Sequence, residues 1–232
     1  MRKQEYYFDL KRDSLHRHLA GAIPKGVSML IEGSHGYGKS AISQRLIYGF
    51  LSHGYSVTYI STELTTKGFV DQMESMDYDI LHYLLKKDLQ FIPVFSIIGK
   101  PVPRKQFLER LITAPKLFEN DIIIIDTFSS LIRESIDRDS SFRIMSLFKK
   151  LAGKSKNIIM TMDSADLPVD IMNSFRGISD IYLELKTMIE EGAQTHNILV
   201  RRFVNATERV GNVITFRIEP GAGLIVDITM VS

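Results

Sequence analysis

The chain has 232 residues, 44% hydrophobic and 24% charged, which excludes wholesale disorder and collagen-like repeats and leaves room for a sizeable core. Lys and Arg total 29 against 27 Asp and Glu, and a net charge of +2 is too small for a nucleic-acid footprint. Cysteine is absent, which excludes disulfides, thiolate metal sites and a cysteine nucleophile.

The opening residues, MRKQEYYFDLKRDS, lack the apolar stretch of a signal peptide. No run approaches the roughly 20 apolar residues of a membrane-spanning helix. A single soluble domain over 1–232 is expected.

In chain order, Val27 to Glu32 is a short apolar run ending in a glycine-rich turn. From Lys39 to His53 the residues Ile42, Leu46, Ile47, Phe50 and Leu51 recur at helical spacing, and Gly54 stands where a left-handed cap is expected. Ser56 to Ser61 is strand-like, and Thr66 to Leu85 reads as one helix. Leu89 to Phe95 reads as a strand in which Pro93 marks an edge or an end. A loop at 99–103 leads into a helix running to about Phe118. Asp121 to Asp126 carries an unbroken isoleucine run, the pattern of a strand buried on both faces of a parallel sheet. One more helix and a strand from Lys156 to Met162 complete the alternation, which implies right-handed βαβ crossovers. After Gly177 come closely spaced strands with turns at 190–192, 211–212 and 220–223, an antiparallel extension of the sheet. The fold class is α/β: a central, mostly parallel sheet flanked by helices, with antiparallel strands at the C-terminal end.

The most specific signal is Gly33, Ser34, His35, Gly36, Tyr37, Gly38, Lys39 and Ser40, which fits G-x-x-x-x-G-K-[ST] between a strand and a helix. Glycines at these positions let backbone N–H groups curl around phosphates, and the helix N-terminus faces the same anion. Lys39 reaches the β- and γ-phosphates, and the Ser40 hydroxyl binds Mg²⁺. ATP with Mg²⁺ is the ligand this loop implies. His35 is expected to point to solvent.

Asp126 ends the isoleucine strand. A carboxylate at the C-terminal tip of a central parallel strand lies over the ligand crevice, where it holds Mg²⁺ through water. Glu63, just past the second strand of the alternation, has two readings: a carboxylate that orients or deprotonates a water, or a solvated residue that caps the next helix. Thr161 and Asp163 are either γ-phosphate sensors or ordinary polar residues where a loop begins. The histidines show no H-x-x-x-H pair, so they suggest no metal site.

The leader from Asp13 through Leu15, Gly21, Ile23 and Pro24 to Gly26, followed by a strand and the phosphate loop, resembles the entrance of RecA-superfamily proteins of the KaiC and RadA branch. The helix from Gln44 to Leu51, the Ser61–Thr66 loop and the stretch from Phe216 to Val226 resemble the archaeal flagellum (archaellum) accessory ATP-binding proteins. The likeness runs from about Asp9 to Val226. It departs at Ala20-Gly21-Ala22, where a glycine triplet is usual, and at Tyr37, whose bulk must point out of the loop.

The resemblance implies a RecA-like P-loop core, binding of ATP and Mg²⁺, weak or absent hydrolysis, and a homohexameric ring. It implies a cytoplasmic place, peripheral at the inner face of the membrane at the archaellum base, beside the secretion-type motor ATPase and the membrane platform protein. It makes Glu63 the catalytic carboxylate. It makes Ile218, Glu219 and Pro220 a frame for the adenine, and Arg201 or Arg202 a contact to the neighbouring subunit's γ-phosphate. A solvated strand residue is the alternative for either arginine.

Two other functions belong to the same superfamily. A RecA- or RadA-like DNA-dependent ATPase needs clustered cations in the loops after the late strands. Here 163–180 holds Asp163, Asp166, Asp170 and Asp180 against Arg176, so no specific nucleic acid is expected. A KaiC-like autokinase is the other, but the chain lacks the tandem second domain of those proteins.

Overall fold

The computed structural model describes residues 4–94, 107–190 and 193–227. A small antiparallel ribbon comes first, β1 (Glu5–Tyr7) with β2 (Ala22–Pro24), joined through the short helix α1 (Leu15–His18). Then follow β3 (Ser28–Glu32), α2 (Lys39–Ser52), β4 (Val57–Ser61), α3 (Thr66–Ser75), α4 (Leu81–Lys86) and β5 (Leu89–Pro93). After these come α5 (Phe107–Ile112), a 3₁₀ turn at Pro115–Phe118, β6 (Ile122–Asp126), α6 (Phe128–Ile132), α7 (Arg138–Ala152) and β7 (Asn157–Met162). A second 3₁₀ turn (Ser164–Asp166), α8 (Val169–Ile178), β8 (Ile181–Glu190), β9 (Ala193–Phe203), β10 (Val213–Glu219) and β11 (Gly223–Val226) complete the order.

The main sheet has nine strands in the order β11-β10-β9-β8-β3-β7-β6-β4-β5. From β5 to β8 all neighbours pair parallel, and β8, β9, β10 and β11 continue antiparallel. The isoleucine run explains the two-sided burial. Ile122 and Ile124 face the core beneath α2 and α3, whereas Ile123 and Ile125 face the core beneath the helices α5 to α8. Pro93 closes the edge strand β5, where its missing N–H breaks no ladder. Gly54, at φ +78°, ends the turn after α2. Among the described residues no helix is long and apolar enough to cross a membrane.

Several expectations need correction. The helix expected over 66–85 is two helices. Asp77 takes a left-handed conformation at φ +59°, which stops α3, and Tyr78 then turns inward to full burial against Tyr48. Asp79 restarts the chain by accepting a bond from the Leu81 N–H. The helix before the Lys156 strand is also two. Asp137 and Ser140 cap one another's backbone at the start of α7. The helix expected to reach Phe118 ends at Ile112, and Pro115 opens a 3₁₀ turn. The loop at 99–103 and the turn residues 191–192 lie outside the described residues, as do the last residues of the expected strands at Phe95 and beyond Asp227.

The leader is bound tightly to the phosphate-loop helix. Phe8 carbonyl O would lie 2.5 Å from a Cβ at position 49, so only glycine fits there in α2. Arg45, one turn earlier, donates to the same carbonyl and to both Asp13 carboxylate oxygens.

Candidate functional site

Parallel strands deliver their C-terminal tips to one edge of the sheet, and the loops that follow meet there. β3 delivers the phosphate loop, β4 delivers Glu63, β6 delivers Asp126 and Thr127, and β7 delivers Asp163. The loop 33–38 and the start of α2 form one wall of a cavity of about 430 Å³. Gly36, Gly38, Lys39 and Ser40 line it from the loop, and Glu63, Thr127 and Asp163 from across.

Gly38 sits at φ +89°, and a Cβ there would come within 3.1 Å of the Phe216 ring. That conformation turns the chain directly into α2. No side chain caps α2 and no acid stands in its first turn, so its leading N–H groups are left for an anion.

Lys39 is only 8% exposed, yet among the described residues it forms no ion pair. Its Nζ donates to the carbonyls of Gly33 (2.6 Å) and Ser34 (2.9 Å), residues of its own loop. Burial pushes its pKa down, and the charges of Asp163, Asp126 and Glu63 work against that push. An ammonium held only by neutral carbonyls, beside an uncapped helix start, is matched to a polyphosphate.

Asp126 is 1% exposed. Tyr59 Oη donates to its Oδ2 and Thr161 Oγ1 to its Oδ1, each at 2.7 Å. A carboxylate has about four acceptor positions, so two remain for water on a metal. Ser40 lines the cavity, whereas Asp126 is buried and not part of its lining. Few protein ligands are what magnesium at a nucleotide requires, since phosphates and waters supply the rest. The residues therefore fit ATP with Mg²⁺: Ser40 and Asp126 would hold the ion, which would neutralise charge on the phosphates.

Glu63 is exposed and lines the cavity, where Thr127 Oγ1 approaches its Oε1 at 3.4 Å. The cap of the next helix is Thr65, whose Oγ1 accepts the Gly68 N–H at 3.1 Å, so Glu63 is not needed as a cap. Asp163 lines the cavity and also accepts the Ala165 N–H. Thr161 does not line it. Its hydroxyl accepts the Thr127 N–H (2.6 Å) and passes its own hydrogen to Asp126.

His35 is exposed, but it also lines the cavity, which the expectation of a purely solvent-facing side chain did not include; Tyr37 is half-buried against the core and outside the cavity lining. Of the expected adenine frame, Ile218 lines the cavity. Glu219 instead accepts from Arg217, and Pro220 opens the turn to β11, outside the lining. Arg201 pairs with Glu184 on β8. Arg202 donates to the carbonyls of Arg176, Gly177 and Ser179, closing the C-terminal end of α8.

Sequence reasoning missed Tyr59, Gln44, Gln72, Thr127 and Ser130. Gln44 had a usable signal, since it lies four residues after Ser40 on the same helix face. It donates to Gln72, which lines the cavity from α3.

A phosphate loop on this sheet, with acidic tips on the neighbouring strands, places the chain among RecA-type P-loop proteins. Residues 13–227 match the family described as ATPase: KaiC. The chain is 34% identical to the archaeal flagellar ATP-binding protein FlaH of Methanocaldococcus jannaschii, over 97% of this chain and 96% of that one. It is 33% identical to the FlaH of Methanococcus voltae over 97% of both chains. The crystal structure of the flagellar accessory protein FlaH from M. jannaschii superposes with a TM-score of 0.89 at 33% identity, covering 97% of this chain and 100% of that one. A KaiC-like protein from Pyrococcus horikoshii, 16% identical, shares the fold with a TM-score of 0.72 over 93% of this chain and 95% of that one. The chain belongs to the KaiC ATPase family and, within it, to the archaeal flagellar ATP-binding proteins.

Proposed function

We propose that this chain is the ATP-binding switch of the archaellum motor, and that ATP·Mg²⁺ orders it into a homohexameric ring. The observation that carries the reading is Lys39, a buried ammonium satisfied only by its own loop beside the cavity and the open start of α2. Lys39 and the loop N–H groups bind and orient the phosphates. Ser40 and Asp126 would hold the ion, which would neutralise phosphate charge, and Glu63 would accept a proton from a water that attacks the γ-phosphate as ADP leaves. Turnover is slow, because Glu63 is exposed and, among the described residues, its carboxylate is steadied by one long contact from Thr127.

Nucleotide shifts an assembly only when it binds the assembled state better. The cavity would offer that difference if a second copy completed it, and Arg201 is the better placed of the two arginines to do so. Its own-chain partner is an exposed ion pair, worth little to give up, whereas Arg202 holds three carbonyls. The family membership supports a cytoplasmic position at the membrane face of the archaellum base, with the motor ATPase and the platform protein as partners.

A DNA-dependent ATPase is disfavoured by pairing as well as charge. Asp166 pairs with Arg133, Asp170 with Arg138 and Asp180 with Lys149, so the cations around these loops already have carboxylate partners.

The test is particle mass with and without ATP·Mg²⁺, for wild type and Lys39→Ala. The expected result is a six-chain mass for wild type with nucleotide only, and no such shift for the variant. Equal masses in all four samples would sink the switch.

A further inference from the structure

Tyr59, Asp126 and Thr161 stand on β4, β6 and β7, three neighbouring strands of the sheet. Tyr59 is fully buried, and its ring packs against Phe69 and Phe91 at 5.1 and 5.8 Å between centroids. Its hydroxyl meets Asp126 Oδ2, and the Thr161 hydroxyl meets Oδ1. The carboxylate is therefore gripped on both oxygens by neutral donors, and among the described residues it has no ion pair.

The donors cannot turn away easily. Thr161 Oγ1 already accepts the Thr127 N–H, so its hydrogen is left for Asp126. The Tyr59 ring, packed against Phe69 and Phe91, keeps its hydroxyl on Asp126 Oδ2. Two acceptor positions of the carboxylate stay open in fixed directions.

We propose that Tyr59 is a positioning residue for the metal: with Thr161 it clamps the Asp126 carboxylate in the orientation that would hold Mg²⁺. The inference rests on the reading of Asp126 as the metal carboxylate. A bare carboxylate would rotate about its side-chain bonds, and the ion would bind with looser geometry. Partners of metal ligands commonly shift metal affinity by about 10- to 100-fold.

Tyr59→Phe removes one hydroxyl and keeps the ring in its packing. The measurement is the affinity for a fluorescent ATP analogue across a Mg²⁺ titration and in EDTA, with Mn²⁺ binding followed by electron paramagnetic resonance. Thermal unfolding confirms the fold. The expected result is unchanged affinity in EDTA and a Mg²⁺ midpoint raised roughly tenfold. Thr161→Val, which removes the other hydroxyl, should shift the midpoint in the same direction and stands in if Tyr59→Phe does not fold. Asp126→Asn separates the two claims. If it abolishes the Mg²⁺ dependence while Tyr59→Phe and Thr161→Val leave the midpoint unmoved, the clamp is wrong and the metal assignment stands. If Asp126→Asn keeps the wild-type dependence, the assignment fails and the clamp with it.

Discussion

Lys39 and Arg45 are buried cations on one helix, six positions apart, and they are finished in opposite ways. Arg45 is completely buried and makes paired bonds to Asp13 at 2.7 Å each, with a third to the Phe8 carbonyl at 2.8 Å. Lys39 has only the carbonyls of Gly33 and Ser34, and it opens on a cavity. One charge fastens the leader to α2, and the other waits for an anion. On the proposed function, the cation buried without a carboxylate partner is the binding group and the one buried with a partner is the structural group.

The comparison breaks hardest at Asp13. Asp13→Ala leaves the Arg45 guanidinium buried without its counter-charge, and the expected loss is about 3–5 kcal/mol of unfolding free energy. Urea denaturation reads it directly. A loss below about 1 kcal/mol would mean that the Phe8 carbonyl alone suffices, and the distinction between the two cations would weaken.

A smaller effect is expected at Glu32, the last residue of β3 before the phosphate loop. It is buried beside Arg176 and Tyr182, both of which donate to it. Burial raises its pKa, but the Arg176 and Tyr182 bonds more than reverse that, and the net shift is downward from 4.5. The folded state thus holds the proton less tightly than the unfolded chain. Its stabilisation is complete above pH 4.5, the ordinary value, and is lost as pH falls through the lower folded value. Glu32→Gln should therefore be less stable than wild type at neutral pH, with the gap closing in acid. A gap that stays constant down to acid unfolding would contradict the pairing.

Much of this was legible in the sequence, for local reasons. The phosphate loop is contiguous, so eight neighbouring residues carry its chemistry. The isoleucine run of β6 needed only its pattern to be read as two-sided burial, and Gly54 and Pro93 announced their conformations by residue type. What escaped was long-range or conformationally unmarked. Asp13 and Arg45 are 32 residues apart, and nothing local joins them. Tyr59 reads as core filler on a strand until Asp126 is seen beside it. Asp77 adopts the left-handed conformation that glycine usually signals, so the break in the 66–85 helix had no marker. Of the stretch expected to frame the adenine, only Ile218 lines the cavity, because β10 ends at Glu219 and the chain turns at Pro220.

The most direct measurement is a calorimetric titration of ATP·Mg²⁺ into wild type and Lys39→Ala, with thermal unfolding of each. Wild type should bind one nucleotide per chain. Lys39→Ala should lose about 10- to 100-fold in affinity, the worth of a charge-assisted contact, while keeping or gaining thermal stability because a costly buried ammonium is gone. Equal affinity in the two proteins, or a variant that binds normally but unfolds at lower temperature, would show that Lys39 is a structural cation like Arg45.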